Sequence, residues 1–260
     1  MLSLKEIKTF FPETLHVYEQ FIFKEYLQYK ILEIIFESPY ADKLAFMGGT
    51  CLRIVYGNTR FSEDLDFDNF NLSIDNFTDL TRYIKTELER QGYEVEMRNV
   101  EKGAWHCYIR FPELLYRAGL TRHKEEKILI QLDTEPHAFD YLFEQPILNK
   151  FDVFTQINAV PEDLLLAQKF YAVVNRKRNK GRDFFDIVFL LSRGITPNYE
   201  YLHEKIGIRS PEDIRARVLE KCATLDMNEM ALDVKSFLFD LRDVKKIILF
   251  PSYIQHAKLH

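Results

Sequence analysis

From residue 16 to residue 36, Val17, Phe21, Ile22, Leu27, Ile31, Ile34 and Ile35 recur at helical spacing with charged residues between them, which predicts one long amphipathic helix. The periodicity then shortens. Residues 43–47 form an apolar run, Gly48-Gly49 a turn, 50–56 a short helix, 57–62 a loop and 64–68 an alternating strand. Asp75 is placed to cap a helix that runs to residue 91 and ends at Gly92, where a left-handed residue is wanted.

Residues 93–100 and 105–111 read as a hairpin turning at Lys102-Gly103, 127–134 (KILIQLDT) as a strand carrying Asp133 near its end, and 151–160 as a further strand. Pro161 opens a region expected to be helical to the C-terminus, with helices near 161–174, 183–192, 211–225 and 228–241 forming a small bundle. The expected fold is α/β (α+β): a mixed, largely antiparallel sheet flanked by helices over residues 1–160, N-terminal helix included. A helical domain over 161–260 follows, its first helix expected to close a cleft.

With 260 residues, 47% of them hydrophobic, the chain can bury a core for one large domain or two small ones, and nine Pro and nine Gly leave little room for disordered linkers. Thirty-five basic against forty acidic residues give a net charge of -5, so a polyanion must meet a local patch rather than the protein as a whole. Cys51, Cys107 and Cys222 lack the spacing of a zinc site and suit free thiols in a reducing compartment. The N-terminus has no signal-peptide pattern and no run approaches the roughly 18 apolar residues of a membrane span, so a cytoplasmic protein without membrane association is expected.

In the strand at 64–68, residues two apart share a face: Asp64 and Asp66 point one way, Leu65 and Phe67 the other, into the core. Two adjacent carboxylates repel, a cost that a divalent cation removes, and their hard oxygens suit Mg2+ or Mn2+; such a pair also occurs on solvated strand edges. Gly48-Gly49-Thr50 lies between an apolar strand and a helix, a geometry that aims backbone N–H groups at phosphate, although Gly-Gly also serves as a plain turn. Joined to the acidic strand and to a third aspartate, Asp133, the turn becomes part of a constellation.

The run FMGGT, then DLDF, then LDT resembles the core of the DNA polymerase beta-type nucleotidyltransferase superfamily. More closely, GGTCLRIVYGNTRFSEDLDFD followed by LLLAQKFYAVVNRKRNKGRDFFDIVFLL resembles the AbiEii/AbiGii-type abortive-infection toxins, over roughly residues 44–192. The resemblance implies that Asp64, Asp66 and Asp133 hold the metal, that Gly48, Gly49 and Thr50 line the triphosphate of an NTP, and that Arg60 and Ser62 of the R-x-S-x-D run touch phosphates or stabilise their loop. Superfamily members usually flank the third carboxylate with apolar residues on both sides; here Thr134 follows Asp133.

Lys169 and Arg176, seven residues apart on one helix, share a face and could clamp nucleotide phosphates; the resemblance also has a lysine at position 169. Arg182-Asp183-Phe184-Phe185-Asp186 matches the family's RDxxD element, whose aspartates either orient Lys169 and Arg176 or, for Asp183, favour a helix N-terminus. Asp64, Asp66, Asp133, Lys169 and Asp183 are thus the candidate catalytic set. The cluster Arg176, Lys177, Arg178, Lys180 and Arg182 is the one strong positive patch, open to RNA or simply solvated. None of the seven His shows ligand spacing, and His106 and His137 receive no role.

The implied reaction moves a nucleoside monophosphate from an NTP to an acceptor hydroxyl with Mg2+ or Mn2+, in the family's case as a toxin acting on RNA such as a tRNA 3′ end. An antitoxin encoded nearby is implied, direct contact not being required. Transfer onto a protein hydroxyl, or nucleotide or RNA binding without catalysis, are the alternatives the residues leave open.

Overall fold

The computed structural model describes residues 1–136 and 138–260, the side chain of Lys102 apart; His137 lies outside the described residues. In chain order the elements are α1 (Leu4–Lys8), α2 (Glu19–Phe36), β1 (Leu44–Met47), α3 (Gly48–Ile54), β2 (Leu65–Asn69), α4 (Ile74–Arg90), β3 (Glu96–Lys102), β4 (Ala104–Phe111), α5 (Leu114–Arg117) and β5 (Ile128–Pro136). Then follow β6 (Ile147–Lys150), β7 (Val153–Gln156), α6 (Glu162–Asn175), α7 (Gly181–Ser192), α8 (Tyr199–Ile206), α9 (Pro211–Ala223), α10 (Met227–Lys235), α11 (Lys245–Ile248) and α12 (Phe250–His256). They divide into two compact units, Met1–Cys51 with Phe61–Ala159, and Leu52–Arg60 with Val160–His260.

The first unit is built on a mixed sheet of order β1-β2-β5-β4-β3, in which only the β2–β5 pair is parallel. One face is apolar: Leu65 and Phe67 on β2, Ile130 and Leu132 on β5, and Cys107, Ile109 and Phe111 on β4 are buried. Helices α2 and α4 supply the apolar partners. α4 carries a one-sided stripe (Phe77, Leu80, Ile84, Leu88), whereas α2 is buried nearly all round, so its polar residues need partners. Glu25 pairs with Lys150 at 2.8 Å, and Gln28 donates to the carbonyls of Ser62 (3.1 Å) and Glu63 (2.9 Å).

Several expected boundaries move for local reasons. Ser73, not Asp75, caps α4: its Oγ accepts from the Asn76 N–H at 3.1 Å, leaving Asp75 in the first turn, where a negative charge suits the helix dipole. The strand expected over 151–160 is the second half of a β6–β7 hairpin that turns at Phe151, at φ 60°. The long helix starts at Glu19, and α10 stops at Lys235.

The second unit is helical, as Pro161 signals by opening α6. α7 packs against α6 and α10, and the contact with α10 fixes a glycine: a Cβ on Gly181 would collide with the Met230 carbonyl, while the Gly181 N–H donates to Asp233 Oδ2 at 2.8 Å. α8, α11 and α12 are further helices in the region expected to be helical. No helix among the described residues is long and apolar enough to cross a membrane.

Candidate functional site

The face of the sheet opposite the apolar layer carries the acidic residues. Residues paired across neighbouring strands point to the same side. The register sets Asp66 of β2 opposite Asp133 of β5, and Asp133 opposite His106 of β4, so the three side chains form one row on that face. Asp68, the next outward residue on β2, accepts from the Tyr141 hydroxyl at 2.7 Å, and burial, with Asp68 adding to it, pushes that phenol far above its usual pKa.

The diglycine corner stands against this row. Gly48 sits at φ 78°, in the left-handed region, and a Cβ placed on it would lie 3.0 Å from Asp66 Cγ and closer still to Oδ2. The Asp66 carboxylate therefore faces the corner, and only glycine allows the approach. Asp64 lies just ahead of β2 on a loop tied from two sides: the buried Thr50 hydroxyl donates to the Asp64 carbonyl, and Gln28 holds the carbonyls of Ser62 and Glu63. Thr50 thus braces the corner from inside, and Ser62 contributes its carbonyl to the same brace.

Asp133 is held by its own strand and by β4. His106 Nδ1 lies 2.6 Å from Oδ1, and Gln131 Nε2 lies 2.9 Å from both carboxylate oxygens. Composition and motif reading give neither residue a role. The signal that finds them is pairing register, since His106 and Asp133 are 27 positions apart.

Paired carboxylate oxygens are the donor chemistry of Mg2+ or Mn2+, and the register puts those of Asp66 and Asp133 on adjacent strands. Among the described residues, no group of three His, Cys, Asp or Glu side chains is arranged to hold a metal ion, so a cation would rely on this pair before Asp64 joins.

In the second unit the RDxxD element is the centre of an ion network. Asp186, fully buried, accepts from Arg60 Nε and Nη2, both at 2.7 Å, and from Asn58 Nδ2 at 2.8 Å, with Lys169 Nζ at 2.9 Å. Asp183 binds Lys169 Nζ at 3.0 Å and Arg176 Nη1 at 2.5 Å. Burial would push Asp186 up and Lys169 down, yet the opposite charges win: Arg60 and Lys169 hold the Asp186 carboxyl below its usual range, and Asp186 and Asp183 raise the Lys169 ammonium above its own.

Arg60, 1% exposed, is paired with Asp186, which accords with the loop-stabilising alternative left open for it. Lys169 is paired with both aspartates, and Arg176, with 46% of its side chain exposed, is the open end of the network. Lys177, Arg178 and Lys180 are exposed, while Arg182 is half-buried over the Phe237 ring at 5.1 Å.

No curated protein matches the chain. Two solved structures from Helicobacter pylori share its fold: JHP933, at 19% identity and TM-score 0.54, covers 91% of this chain and 92% of its own. A protein described as a candidate nucleotidyltransferase, at 20% identity and TM-score 0.55, covers 91% and 95%. The family described as nucleotidyl transferase AbiEii toxin of type IV toxin–antitoxin systems matches over residues 30–247.

Proposed function

Because the chain belongs to the AbiEii nucleotidyltransferase toxin family of type IV toxin–antitoxin systems, we propose that it transfers a nucleoside monophosphate from an NTP to an RNA hydroxyl with Mg2+ or Mn2+ at Asp66 and Asp133, assisted by Asp64. The observation that carries this reading is the register of Asp66 with Asp133 on the polar sheet face, with the Asp66 carboxylate against Gly48.

When bound, the divalent ion supplies positive charge to the phosphates and to the attacking oxygen. The chain's own residues do the rest. Asp66 and Asp133 offer the hard oxygen ligands from β2 and β5, and the brace of Gln28 and Thr50 holds the loop that carries Asp64. Gly48 and Gly49 leave room for the triphosphate to approach the carboxylates. The acceptor oxygen bonds to the α-phosphorus as the bond to the β-phosphate oxygen breaks, releasing pyrophosphate and a proton. In the second unit Asp183 holds Arg176, whose exposed guanidinium is the end of the ion network open to phosphate.

RNA is favoured over a protein acceptor by the exposed run Arg176, Lys177, Arg178 and Lys180 on a chain of net charge -5, since a polyanion gains most from a local cationic stretch. The family supplies the partner as well: an antitoxin.

Incubation with each α-labelled NTP, Mg2+ and cell extract, followed by RNase or protease, tests the proposal. Label on RNase-sensitive material is the expected result; protease-sensitive label moves the acceptor to protein. Nucleotide binding by calorimetry without pyrophosphate release from any NTP leaves a binding module.

A further inference from the structure

Asp133 is tethered by two neighbouring side chains, one on its own strand and one on β4. Both oxygens accept from Gln131 Nε2, two residues earlier on the same strand, and Oδ1 also meets His106 Nδ1 from β4. The register puts Asp66 on the other side, on β2. An ionised carboxylate has only acceptors, so Nδ1 is the protonated ring nitrogen in this bond. His106 is half-buried, its backbone fixed between β3 and β5 opposite Val100 and Asp133. A ring held in a central strand has little rotamer freedom, so it sets the direction of the carboxylate it binds.

We propose that His106 is a positioning residue: through its Nδ1 bond, with Gln131, it holds the Asp133 carboxylate in one fixed orientation on the sheet face it shares with Asp66, so that the two can share a divalent cation. The proposal rests on the reading of Asp66 and Asp133 as the cation site. It assigns His106 no contact with nucleotide or metal. Its effect passes entirely through Asp133, as outer partners of metal-binding carboxylates act elsewhere.

The test is direct Mn2+ binding to the full chain, followed by electron paramagnetic resonance without nucleotide, beside thermal melting of each variant. Wild type binds Mn2+ and Asp66→Asn loses it. His106→Phe, which keeps the ring and removes the donor, weakens Mn2+ binding by about 10- to 100-fold. His106→Asn restores it toward wild type, because the asparagine amide places a donor where Nδ1 stands. His106→Gln, whose amide reaches the Nε2 position, does not, and it serves in place of His106→Phe should that variant fail to fold.

His106→Phe or His106→Gln binding Mn2+ as wild type does, while Asp66→Asn has lost it, overturns the role of His106 and leaves the cation site standing. Wild type and Asp66→Asn binding alike, or neither binding, overturns the cation site and the positioning role with it. A loss in His106→Phe that His106→Asn does not repair reduces His106 to a packing residue.

Discussion

The buried ion network around Asp186 offers a perturbation whose size follows from its geometry. Asp186→Asn keeps one oxygen, replaces the other with an NH2 group and removes the negative charge, so a donor now faces the donors of Arg60, Asn58 or Lys169. Lys169 retains Asp183, but Arg60, 1% exposed, loses the carboxylate that binds it bidentately. Breaking a buried pair by removing one partner costs about 3–5 kcal/mol. In a helical unit of Leu52–Arg60 and Val160–His260, that corresponds to a fall in Tm of ~12–20 °C, at about 4 °C per kcal/mol. Thermal and urea unfolding followed by circular dichroism measure it. Replacing both partners, Arg60→Met with Asp186→Leu, should recover much of the loss, because an apolar pair of similar volume leaves no buried charge behind. A Tm within about 2 °C of wild type for Asp186→Asn would refute the reasoning, since a bidentate, solvent-free pair cannot be lost so cheaply.

Gly48→Ala forces a non-glycine residue to φ 78° and drives its Cβ into the Asp66 carboxylate; expected are a stability loss of about 1–3 kcal/mol and a far larger loss of transfer activity, checked by melting and by labelled-NTP assay. The folded-state pKa of Asp186 is lowered, so its contribution is complete above the unfolded carboxyl value of about 3.9 and lost as pH falls through the lower folded value; Lys169 is raised, so its contribution is complete below about 10.4 and lost as pH rises beyond it. Urea midpoints across pH should therefore show a plateau between those limits that Asp186→Asn flattens at the acid end. Burial pushes the thiols of Cys107 to about 12 and Cys222 to about 11, so in native protein at pH 8 both should react with a disulfide reagent only after denaturant is added.

What the sequence makes legible is what alternation and glycine encode locally. Leu65 and Phe67 inward with Asp66 outward, and Leu132 inward with Asp133 outward, follow from a period of two. Spacing places Lys169 and Arg176 on one helix face, and Asp183, singled out only by the resemblance to the RDxxD element, meets both. Long-range pairing is what escapes. Arg60 is 126 positions from Asp186, and only the fold reveals that its charge is spent inside the second unit. His106 reaches Asp133 through strand register, which no local pattern fixes. Thr50 looks like a phosphate ligand beside two glycines, yet its hydroxyl turns inward to the Asp64 carbonyl. The cap of α4 passed from Asp75 to Ser73 because both are good N-caps and only Ile74 separates them.

The most direct measurement is label transfer from α-labelled NTP with Mg2+ by wild type and by Asp66→Asn, both shown to melt at the same temperature. Wild type should label RNA and release pyrophosphate, and Asp66→Asn should do neither, because the loss of one carboxylate charge leaves Asp133 without its partner across the strands. Equal transfer by the two proteins would contradict the assignment of chemistry to that row of side chains.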